Sequence, residues 1–229
     1  MNPDRRTALA AGAFYLLSFV SIPTLALYAG VKGEGYLLGS ASDGPALWGA
    51  FLEVVVGLAC IGTAVTLYPV LRRQDSAMAL GFVGARTLEA AMIFVGVASI
   101  LTLVSLHGST SAAVASADPG TLGVLGEALA TFHSRAFLLG QSLMPGINAL
   151  LLGTLLLRSR LVPRAIPLIG LIGAPVHLTA VVLTLFGVLA PLATVTGLAA
   201  VPIALWEFSL GVYLVVKGFR PDARILARP

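Results

Sequence analysis

Six long apolar stretches are joined by short connections, and basic residues crowd every second connection. Few folds can accommodate that pattern. The clusters are Arg5 and Arg6; Arg72 and Arg73; Arg158, Arg160 and Arg164; and Lys217, Arg220, Arg224 and Arg228. Only Lys32, Arg86 and Arg135 stand elsewhere. In a chain that crosses a bilayer repeatedly, lysine and arginine gather on the cytoplasmic connections. The alternation therefore predicts an all-α integral membrane bundle of six transmembrane helices, with N and C termini cytoplasmic. Composition agrees: hydrophobic residues make up 58% of the 229 residues and charged residues 10%. An ordinary soluble domain carries about 25% charge, and this chain could not cover a water-facing surface.

The spans are expected at about 8–29, 46–71, 77–106, 121–157, 165–188 and 195–217, within a single transmembrane domain covering 1–229. Pro23 should bend the outer third of the first. The fourth, at 1.5 Å per residue, would reach about 55 Å against a hydrocarbon core of about 30 Å. It must either project beyond the bilayer or break, and Pro145-Gly146 is the expected break. Arg5-Arg6 and the apolar run behind it resemble an export signal. That run is too long for a signal core and no small-x-small cleavage site follows, so it reads as an uncleaved first helix. Cys60 is the only cysteine, which excludes an intrachain disulfide and argues against thiolate chemistry.

The positive net charge does not point to nucleic acid, because the basic residues are spread over helix ends, where they anchor topology and meet anionic headgroups. The expected partner is the lipid bilayer, with a small molecule or ion as a possible ligand; oligomeric state is not legible. Localisation follows as a multi-pass protein of the cell membrane.

Ionisable residues inside the spans are the informative exceptions, since charge at membrane depth is costly and faces the bundle interior or a wet cavity. Candidates for a ligand site are Arg86 and Glu89 on one face of the third span, Glu53 in the second, Arg135 in the fourth, His177 in the fifth and Glu207 in the sixth. Gly49-x-x-x-Glu53-x-x-x-Gly57 places small residues above and below a carboxylate, and Gly81, Ala85 and Glu89 repeat that spacing. Such faces let helices approach closely. In the fourth span Glu127, Ser134, Gln141 and Asn148 recur every seven residues, a polar stripe expected to line the interior. Two readings stay open: ion pairs that fix helix register, or a cavity that binds a ligand, an ion or protons. Arg86 and Arg135 set against Glu53, Glu89 and Glu207 leave excess negative charge, which a proton, a charged His177 or a bound cation would balance.

Leu67-Tyr68-Pro69-Val70-Leu71-Arg72-Arg73, then Arg86-x-x-Glu89, then Arg158-Ser159-Arg160-Leu161-Val162-Pro163-Arg164, then Glu207 followed by Lys217-Gly218-Phe219, form an ordered series. In order and spacing it resembles a family of small bacterial multi-span proteins known as domain of unknown function 4386, from Arg6 to Phe219. The resemblance implies a helical membrane domain of this size, in the bacterial cytoplasmic membrane, with Arg86, Glu89 and Glu207 as recurrent features. It implies no activity.

The sequence holds no phosphate loop, dinucleotide fingerprint or metal motif. His107, His133 and His177 lie in different segments without ligand spacing, so neither metal nor cofactor is expected. The functional expectation is binding or transport of a small molecule or ion at an intramembrane polar site. The alternatives are a membrane-embedded enzyme acting on a lipid-like substrate, with Glu89 or Glu207 as acid or base, and a structural or regulatory membrane protein without ligand.

Overall fold

The computed structural model describes residues 2–39, 41–190, 193–223 and 225–226; Arg224 and Arg228 of the last basic cluster lie outside the described residues. Among these residues six helices are long and apolar enough to cross a membrane: α1 (Pro3–Leu27), α2 (Gly44–Leu71), α3 (Ser76–His107), α4 (Pro119–Ser159), α5 (Ala165–Leu185) and α6 (Thr194–Val216). Each packs on its neighbours in the chain, and α6 packs back on α1, so the six close into a ring. Because consecutive helices alternate in direction, the arginine clusters all fall at one end of the bundle, called here the basic end. The described residues 28–39, 41–43, 108–118 and 186–190 form the far end.

Close contact between α1 and α6 depends on small residues. A side chain at Gly12 would meet the Gly211 carbonyl at 2.8 Å and the Leu214 Cβ at 2.9 Å, and without one the two backbones can touch. At the basic end the Arg5 guanidinium donates to the carbonyls of Leu214 at 2.8 Å and Val215 at 2.5 Å. These belong to the last turn of α6, whose carbonyls have no partner within the helix. The following tail is tied down in turn, since the Arg220 amide donates to the Leu161 carbonyl at 2.9 Å.

Two helices depart from regular geometry, and both departures aim polar groups inward. In α1 the α-helical part ends at Leu17, a 3-10 turn covers Ser18–Ser21, and a last turn, Thr24–Leu27, follows Pro23. Proline has no amide to donate. Ser18, Ser21 and Thr24 also hydrogen-bond back to carbonyls three residues earlier, at 2.6, 3.1 and 2.7 Å, which bends helices. The bend carries Tyr28 over α2, where the ring rests on Gly49. A Cβ there would sit 2.5 Å from Tyr28 Cε1.

In α4 the irregularity is a π-helical turn, Leu138–Leu143, one turn before Pro145 rather than at the Pro145-Gly146 step itself. A proline ring clashes with the carbonyl four residues back, here that of Gln141, and the wider π turn moves it clear. The Ser142 carbonyl, in the π turn, accepts from His177 Nε2 of α5 at 2.7 Å. A π turn also shifts the phase of a helix by about one residue, roughly 100°. Before it Leu122, His133 and Ala136 are buried; after it Asn148, Leu152 and Leu155 are.

Candidate functional site

Arg86 is the hub of the bundle's basic half. It lies ten residues into α3, about 15 Å from that helix's basic end, and is 1% exposed. Its Nε donates to Thr63 Oγ1 of α2 at 3.0 Å and its Nη1 to Glu89 Oε2 at 2.9 Å. Nη1 also stands 3.7 Å from Glu207 Oε1 of α6. The guanidinium lies over the Tyr15 ring of α1, 5.1 Å from its centroid, at a distance where a cation is attracted to an aromatic face. Asn148 Nδ2 of α4 donates to the same Glu89 oxygen at 2.7 Å. Four helices thus meet at Arg86, and α4 joins them through Glu89.

The hub's polar groups are incompletely paired. Arg86 Nη2 and Asn148 Oδ1 are buried without a protein partner, although buried polar atoms are nearly always hydrogen-bonded. Glu207 makes only the 3.7 Å contact, beyond hydrogen-bond length. One guanidinium faces two carboxylates, so the charge balances only when a proton or a cation joins them.

A second centre surrounds Glu53, ten residues from Thr63 along α2 and thus about 15 Å nearer the far end. Glu53 is 1% exposed. The Tyr28 hydroxyl donates to its Oε2 at 3.0 Å, and Gln141 Nε2, from the π turn of α4, donates to its Oε1 at 3.0 Å. His133 Nε2 stands 3.6 Å from Oε2, with the His133 ring edge-on to Tyr28 at 5.1 Å. His133 Nδ1 is buried without a partner. Here a carboxylate is held by neutral donors and an imidazole, with no arginine.

The six ligand-site candidates therefore divide. Arg86, Glu89 and Glu207 converge; Glu53 sits in a centre of its own; His177 spans α5 to α4 through the Ser142 carbonyl; and Arg135 is exposed and joins neither centre. The stripe on α4 divides as well. Asn148 serves the Arg86 hub and Gln141 serves Glu53, while Glu127 and Ser134 are exposed rather than in the bundle interior. A seven-residue repeat assumes one unbroken helical phase, and the π turn resets it. Tyr15, Tyr28, Thr63 and His133 were not among the candidates. Of these only His133 stood out in the sequence, as an ionisable residue within the fourth span.

At the far end the loop after α1 is held by a third polar group. The Tyr36 hydroxyl donates to Asp43 Oδ1 at 2.5 Å, and the same oxygen faces His107 Nδ1 at 2.8 Å. His107 Nε2 faces the Gly39 carbonyl at 3.0 Å. The Tyr36 hydroxyl, and after it His107, holds the Asp43 carboxyl below its usual range.

Six apolar helices closed around a charged interior define an integral, multi-pass membrane protein. The chain belongs to the family described as Domain of unknown function (DUF4386), whose family model matches residues 10–218. No curated protein and no solved structure matches it.

Proposed function

We propose that the Arg86 hub is an intramembrane binding site for a small polar or anionic molecule, taken up together with a proton or a cation, in a transporter-like protein of the cell membrane. The observation that carries this reading is the unfinished pairing at the hub. A buried donor (Arg86 Nη2), a buried acceptor (Asn148 Oδ1) and a carboxylate without a hydrogen bond (Glu207) surround one arginine. Guanidinium orients an anionic or polar group in a fixed fork, and the second carboxylate links occupancy to protonation.

The test is a thermal-shift screen of wild type and Glu207→Gln in detergent, against metabolites and cations from acid to neutral pH. Glu207→Gln should fold with near wild-type stability, because the amide keeps shape and hydrogen bonding, and should lose the pH dependence of ligand stabilisation. Severe destabilisation of the variant, with no ligand response in wild type, rejects the site. It then leaves the second reading, that Arg86 only clamps helices, which its contacts with α1, α2 and α6 favour.

The basic end is assigned to the cytoplasm on the arginine distribution. In a Cys60→Ala background, Ser116→Cys should react with an impermeant thiol reagent in intact cells and Gln74→Cys should not; the reverse pattern inverts the orientation. Ser159, 2% exposed, is too buried to serve as the inner reporter.

A further inference from the structure

Between the loop 31–38 and the far-end half of α4 lies a cavity of about 610 Å³, separate from the Arg86 hub. Its wall carries Lys32 and Glu34 from the loop, and Glu127, Thr131, Ser134 and Arg135 from α4. Among the described residues none of the four charged side chains makes an ion pair or a hydrogen bond. Two cations and two carboxylates thus share one wall and ignore one another. Lys32 is steered by the Tyr28 ring, 5.9 Å away.

The position fits a headgroup-level site. His133, two residues before Arg135, packs at Gly96 of α3, where a Cβ would meet its ring at 3.4 Å. Arg135 stands 23 residues, or about 35 Å, from Arg158 along α4, so the cavity lies at the far edge of a hydrocarbon core of about 30 Å. The remaining wall is apolar, including Leu37, Leu122 and Leu138, and the volume falls within the range of small-molecule sites, about 300–1,000 Å³. The loop wall is already held in place by Tyr36, Asp43 and His107, so binding need not first order it.

We infer that this cavity binds a zwitterionic group, a primary ammonium beside a phosphate or carboxylate, with Arg135 and Lys32 on the anion and Glu127 and Glu34 on the ammonium. Neither a simple anion nor a simple cation satisfies the wall, because each would leave one pair of like charges unmatched. Two sources offer the chemistry. One is the headgroup of a membrane lipid such as phosphatidylethanolamine, whose chains would leave along the apolar wall; the other is a free molecule of the same kind.

Native mass spectrometry of the full chain with equal amounts of phosphatidylethanolamine, phosphatidylcholine and phosphatidylglycerol tests the first source. Thermal shift with glycerophosphoethanolamine, on protein in phosphatidylcholine nanodiscs, tests the second. Retention of phosphatidylethanolamine at least tenfold above the other two lipids identifies a lipid site, and a shift with the soluble headgroup identifies a free ligand. In either arm Arg135→Gln should weaken binding about tenfold, and Glu127→Gln should abolish the preference for a primary ammonium over choline or glycerol. Both residues are exposed and unpaired, so both variants should fold. Equal retention of the three lipids with no shift from the soluble headgroup overturns the inference, as does binding unchanged in both variants.

Discussion

Glu89 and Glu53 are both carboxylates buried at membrane depth, yet the protein holds them in opposite ways. Glu89 has an arginine three residues away on its own helix and an asparagine from α4. Glu53 has a tyrosine hydroxyl, a glutamine amide and a nearby imidazole, each from another segment. The first arrangement places a fixed positive charge beside the carboxylate and then adds a second carboxylate, Glu207, to the same arginine. The second supplies donors without charge. Arginine is always protonated, so removing it strands negative charge. A carboxyl held by neutral donors can be replaced by an amide without stranding anything. Two buried acids of one chemical type therefore have very different tolerance to change.

The sharpest break in that comparison is Arg86→Leu against Glu53→Gln. Arg86→Leu should cost about 3–5 kcal/mol, the usual result of removing one partner from a buried charged pair, and Arg86→Leu with Glu89→Leu should cost less than the sum of the singles. Glu53→Gln should cost less than about 1 kcal/mol, since the amide can still accept from Gln141 and now donate to the Tyr28 oxygen or to His133. Thermal denaturation in detergent reads both. Equal losses at the two positions would mean that the arginine makes no difference, and strictly additive losses for Arg86 and Glu89 would mean that they do not interact.

A smaller effect tests how the Glu53 centre is assembled. Gly49→Val should cost about 1–3 kcal/mol by pushing the Tyr28 ring off α2. Tyr28→Phe should cost about 1 kcal/mol through the lost hydroxyl alone. Once Gly49→Val has displaced the ring, adding Tyr28→Phe should change little. Full additivity of the two would show that the ring does not need the glycine.

The smallest effect concerns the loop that carries Tyr28 and Lys32. Because the folded Asp43 carboxyl is held below its ordinary value, its contribution to stability is present above the unfolded pKa, about 3.9, and is lost as pH falls through the lower folded value. Hydrogen exchange over residues 35–39 should therefore quicken below about pH 4, after correction for intrinsic rates. In Asp43→Asn that step should vanish; a step of equal size in the variant would assign it to another group.

The sequence made the scaffold legible because span length and arginine placement are local properties. Arg86 and Glu89 were legible as neighbours for the same reason, three residues apart on one helical face. The expected ends of the six spans differ from the observed ones by at most five residues, the largest gap being the start of α1 at Pro3. What the sequence concealed depends on bends and on distant pairings. Tyr28 reaches Glu53 only because serine and threonine hydroxyls and Pro23 turn the end of α1. Glu127 and Ser134 leave the interior only because Pro145 forces a π turn upstream of itself. Arg135 looked equivalent to Arg86 as a charge within a span, but nothing local to either residue told which of them would find a carboxylate.

The seam between α1 and α6 carries a consequence for how the protein is made. The groups that Arg5 caps lie 209 and 210 residues further along the chain, and the Gly12–Gly211 crossing joins equally distant segments. At a synthesis rate of about 5–20 residues per second, the first helix waits roughly 10–40 s in the membrane before its second neighbour exists. Through that interval Tyr15 and the guanidinium of Arg86 have no sixth helix beside them, and Glu207 has not yet arrived. The ring is completed by its newest helix meeting its oldest, so the charged interior is sealed in the last step of assembly.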